Sequence, residues 1–159
     1  MTGLLSLLAS VALVSGAATE PDIRPGEGGD ACAPSARQLR VAVDGIEAAT
    51  GILTVELYRN DQGGFLRKTG RLRRVREAAR AGTQRVCFGV EGEGPFAVAV
   101  YHDVNGNRDL DQKWNKMPKE PFGLSGEARL RLGFPDIEPA LVTVPDQGLD
   151  IVIGLRDPR

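Results

Sequence analysis

Residues 38–155 carry apolar side chains at every second position, in runs too short for helices and broken by turn residues. The runs are 38–46 (QLRVAVDGI), 51–58 (GILTVELY), 84–90 (QRVCFGV), 96–101 (FAVAVY), 140–144 (ALVTV) and 149–155 (LDIVIGL). Successive side chains of a strand point to opposite faces, so this alternation marks half-buried β-strands. Twenty Gly and ten Pro supply the breaks, as in the Asn60-Asp61-Gln62-Gly63-Gly64 cluster. The short polar link between the first two runs predicts a hairpin. The expected fold is all-β: an antiparallel, Ig-like or prealbumin-like β-sandwich of about seven strands with one long Asp/Asn-rich loop.

A chain of 159 residues with 42% apolar content suits a single packed domain. No charge appears before Glu20, and Leu, Ala and Val run into small residues at 15–18. This reads as a signal peptide over 1–18, too short and too rich in small residues for a membrane span. The Lys or Arg usual near the start of such a signal is missing. The Pro-, Gly- and acid-rich stretch 19–36 reads as a linker, ordered only near Cys32, and 37–157 as the β-sandwich domain. The expected location is periplasmic or secreted, without stable membrane insertion once the signal is cleaved. In such a protein the two cysteines, Cys32 and Cys87, most simply form a disulfide; two separate buried thiols are the alternative.

Residues 65–85 allow two readings. Leu72, Val75 and Ala79 stand at helical spacing, with Arg71, Arg73, Arg74, Arg76 and Arg80 around them. That pattern fits a basic amphipathic helix, or a ragged edge strand whose charges discourage pairing. The arginines would suit an anionic partner, but no aromatics interleave them and the formal net charge is −1. The favoured reading is a solvated face, with no nucleic-acid partner.

The chemistry of the chain concentrates in 96–125, FAVAVYHDVNGNRDLDQKWNKMPKEPFGLS. An apolar strand gives way to Asp103, Asn105, Asn107, Asp109 and Asp111 at alternate positions. Oxygen donors so spaced can converge on a hard cation when the backbone curls round it, which makes calcium the expected cofactor. The EF-hand pattern fails at its sixth position, Arg108, and its twelfth, Trp114. Arg108 and Lys113 offset part of the charge, so affinity is expected on the order of 0.1–1 mM. The competing reading is an empty loop in which Asx side chains cap their own turns. His102 and Asp103 are neighbours on a strand and so face opposite ways, which disfavours a catalytic dyad. Ser125 lacks the G-x-S-x-G setting of a nucleophile. Trp114 and Phe122 are expected to form a lid packed on the sandwich; the other reading makes Trp114 a ligand contact.

The strand followed by His102-Asp103, Asn105-Gly106-Asn107, Leu110-Asp111 and then Pro118, Glu120, Gly123 and Ser125 resembles a bacterial exported family, domain of unknown function 2141. Arg108 stands where the family pattern has its second glycine, and no glycine precedes Pro118. The resemblance runs over residues 38–155. It implies a secreted or envelope β-sandwich, similar to transthyretin-like and carboxypeptidase-regulatory-like domains, and brings no established activity. The functional expectation is a non-enzymatic binding or structural module of the bacterial envelope with a calcium-stabilised loop. The alternatives are a carbohydrate- or ligand-binding module using Trp114 with Tyr101, and a hydrolase using His102, Asp103 and a loop carboxylate. No particular envelope or extracellular partner is indicated.

Overall fold

The computed structural model describes residues 20–92, 94–126, 128–129 and 135–158. The candidate signal at 1–18 lies outside the described residues, as does most of the stretch 126–133 (GEARLRLG), whose sequence allows a short strand or an irregular crossing. Eight strands and one 3-10 turn, at Glu138–Ala140, make up the described secondary structure. β1 (Gln38–Ile46), β4 (Gly82–Gly89) and β8 (Leu149–Gly154) form a three-stranded sheet in the order β4-β1-β8. β2 (Ile52–Arg59), β3 (Arg71–Ala78), β5 (Phe96–Asp103) and β6 (Phe122–Leu124) form the second sheet in the order β3-β2-β5-β6. The two-residue β7 (Leu141–Val142) also pairs with β5.

The alternation places the core. Leu39, Val41 and Val43 of β1 and Val86 and Phe88 of β4 meet Leu53, Val55 and Leu57 of β2 and Val98 and Val100 of β5 in one buried cluster. Each fully buried aliphatic side chain contributes roughly 1.5–3 kcal/mol. A second cluster of Tyr58, Phe65, Ala97, Ala99, Ala128, Ile137 and Ala140 lies on the other side of the second sheet. There the Tyr58 and Phe65 rings meet edge-on at 5.5 Å. β2 and β5 are therefore covered on both faces.

Several expectations are corrected. β1 and β2 are not a hairpin: they belong to different sheets, because the largely exposed 47–51 link passes from one sheet to the other and both apolar faces look inward from opposite sides. The sheets are not purely antiparallel either, since β8 runs parallel to β1. The arginine-rich segment forms no helix but an edge strand, β3, antiparallel to β2 with a register shift at Leu57/Tyr58. Val75 faces the core while Arg74 and Arg76 stand opposite Glu56 and Thr54. Apart from Arg80, whose side chain is 69% exposed, these arginines are not a solvated face. Arg76 is 3% exposed, and Arg71, Arg73 and Arg76 each pair with a carboxylate within 3.0 Å.

Two of those carboxylates come from the stretch read as a linker. Residues 20–36 form a strap across the open edges of β3 and β4, one from each sheet. The Glu27 carbonyl accepts the Arg76 N–H at 2.7 Å, and the Asp30 N–H donates to the Cys87 carbonyl at 2.9 Å. The Cys32–Cys87 disulfide fixes the end of the strap to β4. Asp30 binds Arg73 and the Gly89 N–H, and the Arg73 guanidinium lies over the Phe88 ring, 5.9 Å from its centre. Glu27 binds both Arg76 and Arg108.

The Glu27 pair makes stability depend on acid. Burial works against the carboxylate, but its bonds to Arg108, the Arg24 N–H and Arg76 outweigh it and hold the pKa down to about 2 from 4.5. A depressed pKa stabilises the fold fully above the unfolded value and ceases to do so as the pH falls through the folded one. Glu27→Gln is expected to be about 1–2 kcal/mol less stable at neutral pH. It should also lose less further stability than wild type as pH falls from about 5 to about 2. Urea midpoints across that range measure both; parallel curves would refute the assignment.

Candidate functional site

β5 leaves its sheet through two buried polar residues that face opposite ways. The His102 ring Nε2 lies 2.7 Å from the Thr50 carbonyl, and the His102 backbone N–H donates to the Pro121 carbonyl at 2.9 Å. Asp103 is fully buried. Its Oδ1 accepts the N–H groups of Gly106 and Asn107 at 2.7 and 3.2 Å, and its Oδ2 that of Arg108 at 2.7 Å. One carboxylate thus curls the chain through a full turn. Gly51, at the end of the β1–β2 link, must be glycine for this turn to seat: its φ is +73°, and a Cβ would stand 2.0 Å from the Asp103 carbonyl.

The turn requires left-handed backbone at Gly106 (φ +70°) and at Arg108 (φ +73°). A non-glycine residue there costs roughly 1–2 kcal/mol. Arg108 offsets that cost with its guanidinium, which donates to Glu27 at 2.6 Å and to the Asp22 carbonyl of the strap. The position that departs from the expected glycine is therefore the latch between loop and strap.

Beyond the turn, the Asn105 and Asn107 amides both donate to the Asp111 carboxylate, at 2.9 and 3.3 Å. Their own oxygens accept the N–H groups of Asn107 and Asp109 at 2.9 and 2.8 Å. Of the five residues expected to bind calcium, Asn105, Asn107 and Asp111 come together. Asp103 is turned to backbone N–H groups, and Asp109 is exposed. Among the described residues no group of three or more His, Cys, Asp or Glu is placed to hold a metal. Glu120 is buried behind the loop and accepts the Val104 and Asp111 N–H groups at 3.1 and 3.2 Å. Its burial, with Asp103 and Asp111 nearby, outweighs those bonds and pushes its pKa up to about 7.

Residues 111–119 then form a small hairpin of their own. The Lys119 N–H donates to the Asp111 carbonyl and that of Lys113 to the Met117 carbonyl, both at 2.7 Å, with a bridge between Gln112 and Pro118. Trp114 sits at its tip, 95% exposed. The expected lid is thus overturned: backbone bonds and the Glu120 carboxylate anchor the loop, and no aromatic plug is needed. Phe122 lies in β6, half-buried, and pairs with Arg156 through the backbone. Tyr101 is buried with its hydroxyl facing Arg76, so it offers no second stacking surface beside Trp114.

After the loop, β6 closes against β5. A Cβ on Gly123 would meet Ile153 Cγ2 at 2.6 Å, so glycine lets the two sheets approach there. Ser125 bridges the break between β6 and β7. Its Oγ accepts the Val98 N–H at 2.8 Å, its N–H donates to the Val98 carbonyl at 2.9 Å, and its Oγ–H donates to the Ala140 carbonyl at 2.5 Å. A family described as an uncharacterized protein conserved in bacteria, domain of unknown function 2141, matches residues 41–151. The chain belongs to this family. No curated protein and no solved structure matches it. In this family member the motif residues Asp103, Asn105, Asn107, Glu120, Gly123 and Ser125 hold backbone or one another, and Arg108 replaces a glycine without removing its left-handed conformation.

The residues that sequence reading passed over are Glu27, Asp30 and Glu56. The first two sit in a stretch without periodicity, and the third in a strand whose alternation drew attention only to its apolar members. Asp103→Ala would leave the partly buried Arg108 N–H without an acceptor and take from Gly106 and Asn107 one of the two acceptors each has, at an expected cost of about 2–4 kcal/mol. Asp109→Ala, at an exposed carboxylate, should stay within about 0.5 kcal/mol of wild type. Chemical denaturation of the two variants tests the ranking, and equal losses would contradict it.

Proposed function

We propose that the protein is an exported, non-enzymatic binding module of the bacterial envelope, an Ig-like or prealbumin-like sandwich that presents Trp114 to its ligand. The observation that carries this reading is the 95% exposure of Trp114 at the tip of a hairpin whose base is pinned by Asp103 and Glu120. A large apolar ring held out by a stiff base is an aromatic contact surface in waiting. The favoured ligand is carbohydrate, whose apolar ring faces stack on indole. The disulfide suits an oxidising compartment, and no described helix is long and apolar enough to cross a membrane. His102 and Asp103, the residues a hydrolase would use, make hydrogen bonds to backbone groups, which supports a non-catalytic role.

Trp114 is the only tryptophan in the chain, so intrinsic fluorescence reads this one residue. Envelope polysaccharide fragments are expected to shift and quench its emission saturably. Trp114→Ala should abolish retention on the immobilised polysaccharide while changing stability by less than about 0.5 kcal/mol. Emission that does not respond, or retention unaffected by Trp114→Ala, would overturn the reading.

Calcium is a second reading, favoured by the convergence of Asn105, Asn107 and Asp111. The amide nitrogens now occupy the Asp111 carboxylate; rotating both amides would turn their oxygens to a cation beside Asp111, which would stiffen the loop below Trp114. Binding to the folded loop at about ten times Kd stabilises by roughly 1.4 kcal/mol, or roughly 3–8 °C in Tm for a domain of this size. Adding about 5 mM calcium to chelator-treated protein should give that rise, with magnesium giving less. Asp111→Ala should erase it. An unchanged wild-type Tm would leave the loop self-capped.

A further inference from the structure

The outer face of the second sheet carries a charge imbalance unrelated to Trp114. Strand register sets its residues in three rows: Arg76, Thr54 and Tyr101; Arg74, Glu56 and Ala99; Arg71, Tyr58 and Ala97. Three guanidinium groups thus share the face with one carboxylate, Glu56. That carboxylate is already engaged: Oε1 accepts from Arg71 at 2.6 Å, and Oε2 accepts the Tyr58 hydroxyl. Arg76 is taken by Glu27 at 3.0 Å and by the Arg108 carbonyl at 2.5 Å.

Arg74 is left over. Its ion pair among the described residues is a distant one, 3.8 Å from the oxygen of Glu56 that Arg71 holds, and its side chain is 28% exposed. Burial and the neighbouring Arg76 and Arg71 charges lower its pKa. Beside it, among the described residues, Arg76 Nε is buried with no hydrogen-bond partner, and the buried Thr54 and Tyr101 hydroxyls face each other and Arg76 with no acceptor beyond them. A buried donor without an acceptor costs roughly 1–3 kcal/mol. Every polar group of this cluster is a donor or a hydroxyl, and its leftover cation, Arg74, is partly open to solvent. A negatively charged acceptor is what the cluster lacks.

We propose that this face is an oxyanion-binding site, with Arg74 as the principal ligand and Arg76 Nε and the Thr54 and Tyr101 hydroxyls as its inner donors. The planar guanidinium fork of Arg74 suits a phosphate in two-point contact. The phosphate is either the free ion or a monoester carried on a sugar. The site lies on strands β2, β3 and β5, independent of the 111–119 hairpin, so it stands or falls separately from Trp114.

The test titrates the intact disulfide-bonded protein with inorganic phosphate and with glucose 1-phosphate, each against sodium chloride at matched ionic strength. Either ligand is expected to raise Tm saturably, by about 3 °C or more at about 10 mM. A response to both assigns the free ion, and a response to the ester only assigns a phosphosugar. Arg74→Gln should weaken binding at least about tenfold, and Arg74→Lys less. Arg85→Gln, on the other sheet, should leave it unchanged. In phosphate-free buffer Arg74→Gln should keep or raise Tm, because it removes an uncompensated charge; a structural arginine would lower it. No saturable response to either phosphate, or a response undiminished in Arg74→Gln, overturns the proposal.

Discussion

Glu27 joins three parts of the molecule that sequence keeps far apart. Its carbonyl takes the N–H of edge strand β3, and its carboxylate binds Arg76 of that strand and Arg108 of the β5–β6 loop. Breaking such a partly buried arrangement from one side strands cations rather than merely losing an attraction. The strap that carries Glu27 also fills the seam where β3 and β4, edge strands of different sheets, would otherwise offer unpaired backbone. The disulfide at Cys32 keeps it there, and Asp30 adds its own pair with Arg73. An unprotected edge invites pairing with other chains; here a non-repetitive segment rich in acids and glycine does the covering.

The family motif makes sense in the same terms. A long connection leaves β5 in mid-sheet and must return to the same sheet as β6. Asp103 coils its start, Glu120 takes the N–H groups of Val104 and Asp111 at its base, and Gly123 and Ser125 seat the returning strand. Each of these is a polar or small residue for a stated reason: buried N–H groups need acceptors, and close sheets need a residue without a side chain. What is left over from this framework is what faces outward, Trp114 at the tip and Arg74 on the flank.

Much of the fold was legible in the chain. Period-two runs placed β1, β2, β4, β5 and β8 because alternation follows from strand geometry whatever the partners are. The glycine- and Asx-rich punctuation placed the long loop between β5 and β6. Family membership was readable from His102 to Ser125, since those residues bond within one connection and so keep a fixed spacing. The cysteine pair needed only the count of two.

Tertiary structure decided what depends on which face meets which neighbour. Leu72, Val75 and Ala79 have helical spacing, yet pairing with β2 made β3 a strand, because an edge strand can place Arg74 and Arg76 opposite Glu56 and Thr54. β1 and β2 look like a hairpin in one dimension; two inward apolar faces can equally lie on opposing sheets, and burial chose that. The roles of Glu27 and Arg108 rest on a contact across 81 positions, which no local pattern encodes. Trp114 is apolar by type and exposed by circumstance, because the 111–119 hairpin satisfies its own backbone and needs no anchor in the core. Local periodicity, turn chemistry and motif spacing were thus the sequence's to determine, being set within a few residues. Sheet assignment, charge pairing and exposure were the fold's, being set by residues that meet only once the chain has closed.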